Sequence, residues 1–226
     1  MRKVGSTILA TVFLGGYLGV TQACARPITT NQDPAFGATG QVQIIANMTA
    51  PDPSGIAVVD GRLFLTFPKH DGDHTGPVLA EWREGHLLPF PSAAFSAAST
   101  GLPQTRLLSP HGMTTDTAGN LWVIDDGKIK GHPIPPGGAK VVGFNPATGQ
   151  VIANIVLNDA LLPQSHMNDL RIDLTHGAKG MAYITDSSFD GHPALMVVDL
   201  ATGRQRRVLE NTVSVLPDTG YQTVLD

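Results

Sequence analysis

A repeat of about 57 residues is the sequence feature that most constrains the fold. Gly55, Gly112 and Asp169 each follow a polar residue that opens a β-rich run, and 57 positions separate each from the next. The unit is clearest over residues 166–207, where three aliphatic or β-branched runs and a polar fourth run alternate with turns. Such a unit cannot bury both of its faces alone, so it must stack on its neighbours. The repeat favours an all-β β-propeller built from four-stranded blades, with a β-sandwich as the alternative.

Turn residues support the same repeat. Asp60 and Gly61 stand between two apolar runs, which is the strongest short hairpin signal. The turn Asn145–Gly149 of the second copy corresponds to Asp199–Gly203 of the third. With 25 glycines and 17 prolines among 226 residues, the composition favours many short strands over long helices.

The repeat also predicts the domain organisation. Residues 41–226 are predicted to form a partial propeller that begins with a strand at Gln41–Met48. Its blades are expected at about 51–105, 106–160 and 161–216, with a fourth starting at 217–226. A closed ring needs four to eight blades. We therefore interpret the three copies as a fragment of a ring, with a naturally short chain as the alternative.

The first 25 residues have the layout of a secretory signal peptide. Arg2 and Lys3 precede an apolar run at 8–20, and Ala23, Cys24 and Ala25 supply small residues. The run is too short to span a bilayer, so no membrane span is predicted. We expect cleavage near Ala25, a flexible leader over 26–40 and a secreted or periplasmic bacterial protein. Lipid attachment at Cys24 is the alternative, although Thr21 stands where that signal usually has leucine.

The charge of the chain excludes one class of partner. The formal net charge is -4, and no basic block interrupts the sequence. A nucleic-acid partner is therefore not expected, because phosphate binding needs a concentrated positive surface.

Several segments, taken in order, resemble the Yellow and major royal jelly protein family in its bacterial branch. They are Pro53–His70, Leu79–Pro91, His111–Gly127, Met167–Asp173 and Ala182–Ser188. The resemblance runs from about Thr49 to Leu209 and implies a secreted six-bladed propeller. It further implies a small, aromatic or amine-bearing ligand in the central channel, with isomerisation of the dopachrome-tautomerase type as the reaction. A non-catalytic extracellular binding protein is another interpretation of the same resemblance.

A more distant resemblance is to the gluconolactonase and senescence-marker propellers. That family implies lactone hydrolysis around one divalent cation, calcium or manganese. Met167-Asn168-Asp169-Leu170 is similar to its metal-binding motif, so Asn168 is the single candidate metal ligand carried over. Ser54 and His111 open the equivalent strands, where a hard cation would need a carboxylate.

The strand openings supply the main candidate ligand-binding residues. In a propeller the first strand of each blade lines the channel, so Ser54, His111 and Asn168 are expected to meet at one mouth. The alternative is that these side chains bond neighbouring backbone groups and channel water.

Carboxylates at the ends of the second strands are the next candidates. Asp125 and Asp126 follow one strand, and Asp186 follows its counterpart. The structural interpretation is that they accept hydrogen bonds from loop amides. The functional hypothesis gives Asp125 a ligand amine and pairs His111 with Asp186 as catalytic proton-transfer groups, since imidazole titrates near neutral pH.

A loop rich in metal-ligating residues follows the first hairpin. It contains His70, Asp71, Asp73 and His74. A metal site is one hypothesis, but the spacing matches no zinc motif, and a glycine-rich polar loop is usually solvated.

Overall fold

The computed structural model describes residues 44–48, 51–188, 191–218 and 220. The chain divides into two units, Met1–Ile45 and Ala46–Asp226. The predicted signal peptide and leader lie outside the described residues, as does most of 217–226. Residues 44–48 form no strand, which corrects that part of the strand predicted at Gln41–Met48; residues 41–43 lie outside the described residues. Ile44 and Ile45 are 79% and 74% exposed, so they gain none of the burial that would favour a strand.

The second unit is built from short antiparallel strands. The first sheet contains β1 (Ile56–Val59), β2 (Arg62–Thr66), β3 (Leu79–Arg83) and β4 (His86–Pro89). The second contains β5 (Pro110–Thr115), β6 (Leu121–Asp125), β7 (Lys140–Phe144) and β8 (Val151–Val156). The third contains β9 (Met167–Asp173), β10 (Met181–Asp186), β11 (Ala194–Asp199) and β12 (Gln205–Val208).

Within the described residues, one short α-helix and one 3-10 turn occur between the strands. They are α1 (Ala93–Ser96) and a 3-10 turn at Pro103–Thr105. No helix in the described part of the chain has the length and apolar character needed to cross a membrane.

Each sheet follows the chain order of its strands, and the three sheets pack through their first strands. β1 contacts β5, and β5 contacts β9. This is the arrangement of inner strands in adjacent propeller blades. The predicted all-β fold of three four-stranded propeller blades is confirmed.

The hydrophobic core lies between the blades. One cluster joins the first and second sheets, where Phe64, Phe90 and Phe144 form a chain of edge-to-face aromatic contacts. A second cluster joins the second and third sheets and includes Trp122 and Ile184. Each large apolar side chain contributes about 1.5–3 kcal/mol by leaving water. Neither face of the middle sheet could be buried without its two neighbours.

The turns repeat as the sequence predicts. Asp60 and Gly61 both have positive φ, 49° and 74°, and join β1 to β2 as a tight hairpin. In the second blade Asn145 Oδ1 accepts hydrogen bonds from two backbone N–H groups at 3.0 and 3.1 Å. In the third blade Asp199 Oδ1 does the same at 2.8 and 3.0 Å.

Candidate functional site

The openings of the three inner strands lie side by side. Ser54, His111 and Asn168 line one depression of about 290 Å³, which we call the inner depression. Glycine at position 112 permits this approach, because a Cβ there would lie 2.6 Å from Asn168 O and 2.6 Å from Asp169 Oδ1. The repeat therefore places the three predicted ligand-binding residues on one surface.

His111 is fixed by contacts with the first blade. Its Nδ1 lies 3.0 Å from Ser54 Oγ, and its carbonyl accepts a hydrogen bond from Thr66 Oγ1 at 2.5 Å. Burial lowers the pKa of His111 below its ordinary value, and the neighbouring His70 lowers it further. The carboxylate of Asp126 acts in the opposite direction.

Two further histidines join His111 in a cluster that the strand openings alone do not reveal. His70, His111 and His166 offer ligand atoms that all lie within 4.8 Å of one another. The rings of His70 and His111 stack with centroids 4.8 Å apart, and His166 meets them edge-on at 4.9 and 5.1 Å. These three residues, here named the histidine cluster, come from three different blades.

His70 is placed by backbone contacts between the first two blades. Lys69 forms a parallel β-bridge with Ile129, and its N–H donates to Ser109 Oγ at 2.9 Å. His70, the residue that follows Lys69, is therefore held against the second blade. His70 Nε2 lies 3.2 Å from a carboxylate oxygen of Asp71. His70 Nδ1 is buried and has no hydrogen-bond partner among the described residues.

His166 is placed by two buried aspartates. Its N–H donates to Asp186 Oδ1 at 2.8 Å, and its ring Nδ1 lies 3.2 Å from Asp126 Oδ2. The side chains of His166 and Asp126 are 6% and 0% exposed, so water does not screen this pair. The orientation of the ring is thus set by the second blade.

Asp125 and Asp186 lie in equivalent buried positions. Asp125 accepts hydrogen bonds at 2.8 Å from the N–H groups of Leu108 and Ser109, and Lys140 Nζ lies 2.6 Å away. Asp186 accepts from Ser165 Oγ at 2.6 Å, and Arg207 Nη1 lies 2.7 Å away.

These contacts hold the segments that precede β5 and β9. Among the described residues, no hydrogen bond or ion pair joins Asp125 or Asp186 to His111. The structure therefore brings neither carboxylate to the inner depression.

A larger cavity opens beside the histidine cluster. Its volume is about 910 Å³, and we call it the mouth cavity. Ser54, His70 and His111 lie on its wall, together with the loop residues Asp71, Asp73 and His74. The side chain of Asp71 is 95% exposed. Asp73 is 2.8 Å from Lys69 Nζ, and this hydrogen bond lowers the pKa of its carboxyl group.

The surroundings of Asn168 do not fit a hard cation. Asn168 is exposed, and Oδ1 of the adjacent Asp169 accepts the Leu170 N–H at 2.8 Å. The second oxygen of Asp169 is 2.9 Å from Arg171 Nη1. Calcium takes six to eight oxygen ligands, several of them carboxylate. Among the described residues, the group of three or more metal-ligating side chains is the histidine cluster, whose donors are nitrogens.

A comparison against protein families identifies the family of the chain. A family model described as major royal jelly protein matches residues 108–225, just over half of the chain. The chain belongs to the major royal jelly protein family. The resemblance predicted from the sequence motifs is confirmed. No curated protein matches the sequence.

Part of this royal jelly family member is similar to a solved structure. It is an X-ray structure of a protein assigned as a gluconolactonase by its description, with 16% identity and a TM-score of 0.40. The match covers 69% of this chain and 48% of that chain. The present chain thus spans about half the length of that protein.

The sequence patterns do not identify His166 as a site residue, and they do not identify the role of Asp126. His166 immediately precedes β9, the inner strand that contains Asn168. Its place directly before a predicted inner strand was a usable signal for His166. No such signal separates Asp126 from Asp125, because only the packing of the third blade shows which carboxylate meets His166.

Proposed function

We propose that this chain binds a small aromatic amine at the mouth of its propeller channel. The mouth cavity supports this proposal, because it combines a volume of about 910 Å³ with imidazole rings and exposed carboxylates on one wall. A cavity of this size is in the range of small-molecule sites.

The chemistry of the wall suits both ends of such a ligand. His70 and His111 present two stacked rings on which an aromatic group can lie. The exposed carboxylate of Asp71 can pair with a ligand ammonium group. Asn168, in the adjoining inner depression, adds an exposed amide that can both donate and accept hydrogen bonds.

Calorimetric titration with tryptamine tests this binding. We expect Asp71→Asn to weaken tryptamine binding about fivefold, as an exposed ion pair allows, and Asn168→Ala to weaken it as well. Asp159→Asn, an exposed carboxylate outside both cavities, is the matched control. Indole, which lacks the amine, should be insensitive to Asp71→Asn. Equal binding of tryptamine by all three variants and the wild type would contradict the proposal.

Isomerisation of the bound ligand, of the dopachrome type, is the reaction that we propose for the cavity. Its support is the position of His111, whose ring lines both cavities and contacts the hydroxyl of Ser54. An imidazole there could remove a proton from one ligand atom and return it to another, with no net change in composition. The test is the disappearance of dopachrome absorbance with wild type and His111→Ala. An equal rate for the two proteins would exclude the role of His111.

A metal-dependent lactone hydrolysis through Asn168 is the alternative function from the distant resemblance. The residues around Asn168 do not supply the oxygen ligands of such a site, so no step is derived through that metal.

We further propose that the protein is exported by its N-terminal signal peptide. The layout of residues 1–25 supports this, with its positive end, apolar run and small residues near Ala25. The intact mass of the mature protein tests it, and the expected N-terminal residue is Arg26. A lipidated chain beginning at Cys24 would instead support anchoring, and a retained Met1 would contradict export.

A further inference from the structure

We propose that the histidine cluster binds one divalent transition metal ion, with zinc as the representative ion, through His70, His111 and His166. The proposal rests on the proposed function and deepens its amine-binding part, because it uses the same mouth cavity and gives that cavity a metal at its inner wall. It replaces the proton-transfer role of His111, since a ring with Nδ1 on Ser54 and Nε2 on a metal has no free base. It differs from the calcium or manganese site expected at Asn168 in both its residues and its donor atoms. Imidazole nitrogens suit zinc, copper, nickel and iron rather than calcium.

The polar contacts of the cluster assign one nitrogen of each ring to the metal. Ser54 holds Nδ1 of His111, and Asp126 holds Nδ1 of His166, which assigns Nε2 of both rings as the donors. In His70 the carboxylate of Asp71 lies against Nε2, which assigns Nδ1. His70 Nδ1 is buried and is one of four buried side-chain atoms without a hydrogen-bond partner among the described residues. A buried polar nitrogen without a partner is costly, and a metal would satisfy it.

The outer contacts match those of protein metal sites. A histidine that binds a metal usually gives its second nitrogen to a carboxylate, a carbonyl or another polar group, which fixes the orientation of the ring. All three rings of the cluster have such a partner: two carboxylates and one hydroxyl. In this cluster, three histidines from separate blades converge, and each ring is oriented by a polar partner.

The distances require only a small contraction. A zinc ion about 2.1 Å from each nitrogen would separate tetrahedral ligand atoms by about 3.4 Å. Each of the three histidines offers one ring nitrogen, and these nitrogens lie within 4.8 Å of one another. His70 can provide the movement, because it stands at the start of the loop that continues through Asp71 and Gly72. His111 lies in β5, and His166 is fixed directly before β9 by its contacts with Asp126 and Asp186.

The position of the mouth cavity predicts the open side of the metal. Two of the three ligands, His70 and His111, lie on its wall. Three protein ligands and one open position are typical of zinc sites that bind a substrate or water, whereas structural sites are closed by four ligands. The class of molecule for this open position is a small compound with an oxygen or nitrogen donor group. Asp71 at the same wall favours a compound that also carries an amine.

Metal titration of the full chain tests the proposal. Protein without a polyhistidine tag is titrated with zinc by calorimetry and with cobalt by visible absorption. We expect one metal per chain, and a loss of more than about 100-fold in affinity for His70→Ala, His111→Ala and His166→Gln, because each removes a ligand. His176→Ala is the matched control, since His176 also lies against a carboxylate, 2.5 Å from Asp173, but on the exposed surface.

Two results of the metal titration would overturn the proposal, one with the wild type and one with a variant. Absence of stoichiometric zinc binding by the wild type overturns it without any variant. A zinc affinity of His70→Ala within threefold of the wild type also overturns the proposal. This variant is expected to fold, because His70 is partly exposed and lies on a loop. Circular dichroism of each variant checks that a lost affinity is not a lost fold.

Failure of this proposal is distinguishable from failure of the proposed function. Tryptamine titration is repeated on protein stripped with a chelator and on protein reloaded with zinc. Tryptamine binding by a chain that takes up no zinc overturns the metal site alone. Zinc uptake with no tryptamine binding overturns the amine ligand alone.

Discussion

Nδ1 of His166 lies 3.2 Å from Oδ2 of Asp126, and both side chains are almost completely buried. The pair joins the segment after β6 of the second blade to the residue that precedes β9 of the third. It fixes the ring of His166 in the histidine cluster from a residue on another blade.

Replacing Asp126 therefore tests whether the pair supports metal binding. Asp126→Asn keeps the size of the side chain but removes its charge, so His166 should lose its fixed orientation. We expect zinc affinity to fall about 10- to 100-fold, the usual effect of losing an outer partner of a ligating histidine. Calorimetric titration measures the change. Unaltered affinity would show that Asp126 does not position His166 for a metal.

The neighbouring Asp125 has a different role, and its ion pair with Lys140 predicts a loss of stability. Both side chains are 0% exposed. Lys140→Met would leave the carboxylate buried without its cation and should lower the free energy of unfolding by about 3–5 kcal/mol. Urea unfolding measures this loss, and Lys130→Met, at an exposed lysine, is the control. A loss below about 1 kcal/mol would contradict a structural role for the pair.

The close approach of β5 and β9 predicts that Gly112 cannot be enlarged without cost. A Cβ at this position would meet backbone and side-chain atoms of Asn168 and Asp169 at 2.6 to 2.8 Å. Gly112→Ala should therefore lower the free energy of unfolding by about 1–3 kcal/mol, the range for overpacking a tight contact. Gly72→Ala is the control, because nothing lies within 4 Å of a Cβ there. Equal stability of the two variants in thermal unfolding would show that the inner strands separate easily.

A buried carboxylate in the first blade predicts a loss of stability in acid. Hydrogen bonds from Arg62, joined by those from Arg83, lower the pKa of Glu81 from 4.5 to about 2 in the folded chain. A carboxyl group with a lower pKa when folded stabilises the protein above its ordinary pKa, and that stabilisation is lost as the pH falls toward the folded value. Glu81 should thus contribute about 3 kcal/mol above pH 4.5, and this contribution should disappear between pH 4.5 and pH 2.

Urea unfolding of wild type and Glu81→Gln across that pH range measures the effect. The difference between the two proteins should be largest near pH 5 and should shrink toward pH 2. Glu84→Gln, at an exposed glutamate, is the control and should show no such trend. A difference that is independent of pH would mean that Glu81 acts through packing and not through its charge.

Local sequence signals predicted the blades because each turn is determined by a few adjacent residues. The Asp60-Gly61 hairpin and the Asn145 and Asp199 turns form as their residue types require. The register of the repeat was equally informative, since it places Ser54, His111 and Asn168 on one depression. Fold class and blade number follow from these short-range rules.

The histidine cluster could not be predicted in the same way, because it depends on packing between blades. His70 reaches it through a bridge between Lys69 and Ile129, which are far apart in the sequence. Asp125 and Asp126 are adjacent carboxylates, yet one pairs with Lys140 in its own blade and the other with His166 in the next. Residue type and spacing do not distinguish these two positions.

X-ray absorption at the zinc edge, on the full chain loaded with one equivalent of zinc, tests the central claim most directly. The three-histidine site predicts three imidazole nitrogens at about 2.0–2.1 Å and one further light ligand. Addition of tryptamine should change that fourth ligand and leave the three imidazoles in place. A spectrum dominated by oxygen ligands, or by fewer than three imidazoles, would contradict a metal held by His70, His111 and His166.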